Sequence, residues 1–179
     1  MIPEAVALLQ DAIPRGPAVW ADLGAGKGTF TRALGQLLGP GCRIYAVDRD
    51  PDAVAALKRL AIEPQVDVVP VLADLAGPLE LPGPPADGWD GMLLANALHF
   101  VPRAEAVLTT LVRQVRVGGR VVVLEYDRRA ASRWVPNPIT PDRLLELAAG
   151  AGLSTPVITA RRPSSFGGEL YVAAADRVR

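Results

Sequence analysis

Three glycines at alternate positions, Gly24, Gly26 and Gly28, separate the apolar run Val19-Trp20-Ala21 from the helix-like stretch Phe30-Thr31-Arg32-Ala33-Leu34. This spacing constrains the chain more than any other feature. Glycine takes positive φ without steric penalty, so the segment reads as a buried strand turned sharply into a helix. Bare backbone also lets a ligand approach closely. The first amides of the helix lack intrahelical partners, which favours an anionic or polar ligand group at the turn.

Spacing narrows the choice of ligand. The dinucleotide fingerprint is G-x-G-x-x-G with an apolar residue where Asp22 stands here, and the observed spacing is G-x-G-x-G. The phosphate loop G-x-x-x-x-G-K-[ST] fails as well, because Lys27 is followed by Gly28. A carboxylate beside the turn suits a ligand with an ammonium or sulfonium charge better than one carrying a pyrophosphate.

Apolar periodicity alternates between short β-rich runs and longer helical segments. It predicts strands near 18–23, 43–48, 66–72, 90–95 and 119–125, and helices near 3–12, 28–38, 51–60, 102–115 and 140–151. Asp50-Pro51 and Thr140-Pro141 each place a capping side chain before a proline at the first helical position. This alternation implies a parallel sheet covered on both faces. The tail changes character: 153–161 and 169–175 read as strands of a hairpin, joined through Pro163-Ser164-Ser165-Phe166-Gly167-Gly168. The proline- and glycine-rich stretch 76–88 reads as an irregular surface loop. With 179 residues, half of them apolar, one domain over 1–179 is expected.

Taken in order, these landmarks resemble the class I S-adenosylmethionine-dependent methyltransferases. Asp22, Gly24, Gly26 and Gly28 match that family's acid-x-Gly-x-Gly-x-Gly motif. Ile44-Tyr45-Ala46-Val47-Asp48 resembles its second strand with the ribose-binding acid, and the run ending Ala73-Asp74-Leu75 its third strand and the acid that meets adenine. The segment from Asp90 to Phe100 resembles the fourth strand and the active-site end, and Val115-Arg116-Val117-Gly118-Gly119 the helix-turn-strand segment with paired glycines. The resemblance implies a Rossmann-like α/β fold: a seven-stranded, mostly parallel sheet with helices on both faces and one antiparallel C-terminal strand. It also implies S-adenosyl-L-methionine as cofactor, held by Asp22, Gly24, Ala25, Gly26, Gly28, Asp48, Arg49, Asp74, Leu75 and Asn96.

Several of these residues have a plainer reading. Asp48 also suits a strand-end cap for Asp50-Pro51, Asp74 a turn residue, and Arg49 a solvated surface arginine. On the acceptor side, His99 is the only histidine and a candidate to take a proton from a hydroxyl or amine; it equally suits a helix-capping or packing role. Glu125 and Tyr126 end the fifth strand, where either could orient the acceptor. The loop after them carries Arg128, Arg129, Arg133 and Trp134, the arginines suited to a carboxylate or phosphate and the tryptophan to a pocket wall or subunit contact. Asn96-Ala97-Leu98-His99 is not the Asn-Pro-Pro-Tyr of amino-group methyltransferases acting on adenine or glutamine, and Asn137-Pro138 lies elsewhere. Cys42 lies in the wrong segment for a C5-cytosine mechanism.

Composition limits the remaining classes. Nineteen basic and nineteen acidic residues balance, which disfavours a nucleic-acid acceptor and points to a small molecule. One cysteine excludes an internal disulfide and a cysteine-cluster metal site, and no metal is expected. No apolar run approaches the roughly 20 residues of a membrane span, and no secretory leader is evident, so a cytoplasmic protein is expected, with a homodimer left open. Two rivals to the methyltransferase reading are a non-catalytic S-adenosylmethionine-binding module or partner subunit, and an NAD-dependent oxidoreductase.

Overall fold

The computed structural model describes residues 2–60, 65–127, 130–164 and 167–179; Arg128, Arg129, Ser165 and Phe166, named above, lie outside the described residues. Seven strands, β1 (Val19–Leu23), β2 (Arg43–Asp48), β3 (Asp67–Leu72), β4 (Trp89–Ala95), β5 (Val115–Asp127), β6 (Val157–Pro163) and β7 (Glu169–Asp176), form one sheet in the order β3-β2-β1-β4-β5-β7-β6. β7 runs antiparallel to β5 and β6, and the remaining pairs are parallel. Pro70, which cannot donate to a ladder, is accommodated because β3 is an edge strand.

Successive side chains of a strand point to opposite faces, and here both faces are buried, as expected of a parallel sheet. Ala21, Leu23, Tyr45, Val47, Met92 and Leu94 face one layer with α4 (Ala104–Val112) and α5 (Pro141–Ala151). Trp20, Ile44, Leu93 and Ala95 face the other, with α1 (Ile2–Leu9) and α2 (Thr29–Leu38). The short helix α3 (Pro51–Leu57) follows β2 and packs Leu57 on Ala25 and Ala46. Burying each large apolar side chain stabilises the fold by about 1.5–3 kcal/mol. Trp20 demands room: its ring lies across Gly91, where an added Cβ would come within 2.4 Å of it.

Both expected proline-linked caps form. Asp50 accepts from the Asp52 amide at 2.9 Å, and Thr140 Oγ1 from the Arg143 amide at 3.2 Å. Several boundaries move. α4 ends at Val112 and β5 already begins at Val115, so Val115-Arg116-Val117-Gly118-Gly119 is strand rather than the helix-turn-strand expected. Val115 pairs with Trp89 but Arg120 pairs with Gly91, so the residues between bulge out. Gly118 takes φ +76, and a Cβ on Gly119 would collide with Val115 and two carbonyls. α1 stops at Leu9, before the expected residue 12, and β6 starts at Val157 because Pro156 breaks the run from Leu153, which makes only an isolated bridge to Arg177.

Candidate functional site

The strand order reverses between β1 and β4, and a crevice opens beyond their carboxyl ends, where open parallel sheets seat ligands. Its two walls nearly touch. A Cβ on Gly24, which takes φ +81, would lie 2.6 Å from the Cβ of Ala97. Only glycine fits both the turn and this close approach.

A cleft of about 390 Å³ runs along this line. Gly24, Gly26, Asp48, Arg49, Asp74, Leu75 and Asn96, seven of the ten residues anticipated for the cofactor, line it together with Ala73, Ala76, Ala97, Phe100, Val101 and Pro102. Asp48 Oδ2 accepts the Gly26 amide at 2.7 Å while Oδ1 accepts the Asp50 amide at 2.9 Å, so this carboxylate fixes the glycine turn and also faces the cleft. Asp74 Oδ1 accepts the Ala76 amide at 2.9 Å, giving it a turn-forming role beside its place on the wall.

The other three lie beneath the surface. Ala25 is buried against Ala46 and Leu57. A Cβ on Gly28 would meet Leu57 and Leu60 at 3.1 Å, so this glycine serves packing under α3 rather than ligand approach. Four amides of the turn are already paired: Gly24 and Ala25 donate to the Val47 carbonyl, Gly26 to Asp48 and Gly28 to the Ala25 carbonyl. These four residues of the turn therefore offer shape and side-chain-free backbone, while the helix itself begins at Thr29 with no side-chain cap on its N-terminus.

Asp22 lies beneath the turn and is not part of the cleft lining. It is 1% exposed and points under the turn, where Oδ2 accepts the Thr31 hydroxyl at 2.6 Å. Its other oxygen is buried and has no hydrogen-bond partner among the described residues. Burial pushes its carboxyl up to about 7, with the Thr31 bond opposing and the nearby Asp48 charge adding to the rise.

A second cavity of about 600 Å³ adjoins the first, sharing Asn96 and Phe100 with it. His99, Tyr126, Ser132, Trp134 and Val135 complete its lining. Asn96 sits at the junction with φ +53, a region asparagine tolerates better than most residues, and its buried side-chain oxygen has no hydrogen-bond partner among the described residues. His99 and Tyr126 are thus on the cavity wall, but Glu125 is fully buried behind His99. Its Oε2 lies 2.6 Å from His99 Nδ1 and its Oε1 accepts the His99 amide at 3.1 Å. Glu125 therefore holds the histidine and does not reach the acceptor side itself.

Two further residues escaped the sequence reading. Asn137 binds the His99 carbonyl through its amide at 3.1 Å and its side chain at 3.0 Å, tying the loop after β5 to the site. Tyr171, paired with Glu125 across β5–β7, donates to the Ile139 carbonyl at 2.7 Å, and burial pushes its phenol upward. Both links join residues over 30 positions apart, and no local pattern announces them. Among the described residues no group of three or more His, Cys, Asp or Glu could hold a metal ion, and no helix is long and apolar enough to cross a membrane.

A family model described as "Methyltransferase domain" matches residues 21–121. The chain resembles the Burkholderia thailandensis 1,6-didemethyltoxoflavin-N1-methyltransferase, solved with 1,6-didemethyltoxoflavin and S-adenosylhomocysteine, at 26% identity and TM-score 0.71, covering 99% of this chain and 78% of that one. Magnesium protoporphyrin IX methyltransferase from Synechocystis PCC 6803, solved with S-adenosylmethionine, matches in fold at 21% identity and TM-score 0.68, over 98% of this chain and 77% of that one. A methyltransferase from Aquifex aeolicus matches in fold at 15% identity and TM-score 0.72, over 98% and 89%. Ribosomal RNA small subunit methyltransferase H of Xylella fastidiosa (strain 9a5c) is 40% identical over 63 residues, 32% of this chain; the match spans only 20% of that relative's length.

Proposed function

The chain belongs to the methyltransferase domain family, and from that premise we propose that it transfers a methyl group from S-adenosylmethionine to a small-molecule acceptor. The observation that carries the reading is the cleft at the β1–β4 switch, where Asp48 faces a glycine turn whose close approach to Ala97 tolerates no side chain at Gly24. The residues fit the cofactor. Asp48 is the ribose-binding carboxylate, Arg49 and Leu75 flank the base, Asp74 meets its amino group, and Gly24, Gly26 and Asn96 border the methionine portion. Asp22, Ala25 and Gly28 support this wall from beneath. When bound, the cofactor supplies an electrophilic methyl carbon on a sulfonium that departs as a neutral thioether.

The chain's own residues do the rest. The two cavities meet at Asn96 and Phe100, which sets an acceptor beside the cofactor cleft. Alignment of the two reactants contributes up to about 7–11 kcal/mol of barrier lowering. His99 takes the acceptor's proton, Glu125 orients that imidazole through Nδ1, and Tyr126 bounds the acceptor. Small-molecule acceptors in the toxoflavin and protoporphyrin enzymes and the balanced charge of this chain support the choice of acceptor over nucleic acid. A cytoplasmic setting accompanies the reading, since the single cysteine requires no oxidising compartment.

Calorimetric titration of S-adenosylmethionine and S-adenosylhomocysteine, with NAD as control, tests the assignment. Micromolar binding is expected for both sulfur ligands and none for NAD. Asp48→Ala loses a charged hydrogen-bond acceptor worth about 1.5–3 kcal/mol, so affinity falls at least tenfold while circular dichroism stays unchanged. Wild-type protein that binds neither sulfur ligand refutes the proposal.

A further inference from the structure

A further cavity, of about 340 Å³, lies at the other end of the sheet and shares no lining residue with the two at the crevice. It sits at the amino ends of β1 and β4, where Trp20 pairs with Gly91. Arg15 from the turn after α1, Asp90 of β4, Arg116 and Arg120 of β5 and Asp176 of β7 line it together with Trp20.

The bulge in β5 assembles this wall. From the Val115–Trp89 pair to the Arg120–Gly91 pair, β5 advances five residues while β4 advances two. In a regular strand Arg116 and Arg120 would stand four residues, about 13 Å, apart. The excess chain folds out through Gly118 at φ +76, and both arginines line one cavity.

The hydrogen-bond inventory there is one-sided. Asp90 accepts the Val19 amide at 2.8 Å with one oxygen and Arg116 Nε at 2.7 Å with the other. Asp176 accepts Arg120 Nε at 2.6 Å. Both carboxylates are thus engaged in fixing arginines, and what remains open is donors. Trp20 is fully buried, and its indole N–H has no hydrogen-bond partner among the described residues. Arg15 makes no hydrogen bond or ion pair with the described residues, and Arg116 Nη2 makes none either. A buried donor without an acceptor is costly, so the indole calls for one. Three cations against two anions leave the wall net positive, which favours an acceptor that carries negative charge.

We propose that this cavity is a second ligand site, which takes a small molecule by its phosphate or carboxylate group. The indole N–H of Trp20 and the guanidiniums of Arg15 and Arg116 are the donors. A cationic ligand would instead meet carboxylates already bound to arginines. Gly24, where the crevice begins, lies four residues further along the chain from Trp20, so a ligand here does not displace one held there. The inference goes beyond the methyl-transfer reading and does not depend on it.

Proton–nitrogen correlation spectra test it, because the three tryptophans give three indole N–H resonances. That of Trp20 is identified by its absence from Trp20→Phe, or by elimination with Trp89→Phe and Trp134→Phe should that variant not fold. Inorganic phosphate and succinate are titrated separately at an ionic strength held constant with chloride. At least one is expected to move the Trp20 resonance downfield, saturably and with half-saturation below about 1 mM, while that of Trp134 stays in place. Tighter binding of phosphate assigns the ligand to phosphate esters, and tighter binding of succinate assigns it to carboxylic acids. Arg15→Ala and Arg116→Gln are each expected to weaken the titration at least about tenfold with circular dichroism unchanged. A Trp20 resonance that neither anion moves, that chloride moves equally, or that responds undiminished in either arginine variant overturns the proposal.

Discussion

Replacing Asp22 by asparagine isolates the effect of ionising a carboxyl sealed beneath the glycine turn. The unfolded chain releases this proton near 3.8, and the folded chain releases it only near 7. Between those values the folded state binds more protons, so the group's contribution to stability is complete below about pH 4 and is lost as pH rises through about 7. A shift of about three units corresponds to about 4 kcal/mol in full, of which about 3 kcal/mol falls between pH 4.5 and 8. Asparagine keeps an oxygen for the Thr31 hydroxyl but carries no ionisable proton. Its unpartnered amide adds an offset of about 1–3 kcal/mol that does not vary with pH. Urea denaturation of both proteins at pH 4.5, 6 and 8 therefore reads a difference that grows in favour of Asp22→Asn by about 3 kcal/mol. In thermal melts this amounts to about 6–12 °C. Every other titrating group is common to both proteins and cancels. Stability differences that stay constant across the three pH values would refute the reasoning, since they would mean that Asp22 ionises in the folded chain as it does in the unfolded one.

Three further substitutions probe the packing around the site. Gly24→Ala places a Cβ 2.6 Å from Ala97 at φ +81, so a loss of about 2–4 kcal/mol in urea melts is expected, with S-adenosylhomocysteine affinity down at least tenfold; a loss under about 0.5 kcal/mol contradicts the close approach. Gly91→Ala drives a methyl into the Trp20 ring and is expected to cost about 1–3 kcal/mol, with altered near-ultraviolet circular dichroism as the ring moves. Tyr171→Phe leaves the Ile139 carbonyl unpaired, with an expected loss of about 1–3 kcal/mol and faster proteolysis in the 130–139 loop.

The fold was largely legible because its signals are local. β-Branched runs mark the strands, and Asp50-Pro51 and Thr140-Pro141 mark helix starts whose capping bonds the structure contains. The Gly118-Gly119 segment was misread because its conformation is decided by a register shift against β4, which local periodicity does not carry. The same division holds at the site. Turn glycines and strand-end acids can be placed from spacing. That Asp22 turns under the loop depends on Thr31 in the first turn of α2, and that Glu125 backs His99 depends on how β5 lies beside β4. Sequence separation hides such pairs even when each partner is noticed singly.

The switch in strand order also makes the crevice a seam. One wall belongs to β3-β2-β1 and the other to β4-β5-β7-β6, and the chain crosses between them once, through the exposed 76–88 stretch. A molecule seated there bridges two consecutive lengths of polypeptide that also meet along the β1–β4 ladder and where α1 packs against β6. Ligand binding and the joining of these halves are then one linked equilibrium, so at a hundred times its dissociation constant the ligand adds about 2.7 kcal/mol to their cohesion. A cut within 76–88 would convert the protein into a two-part sensor whose reassembly reports ligand concentration.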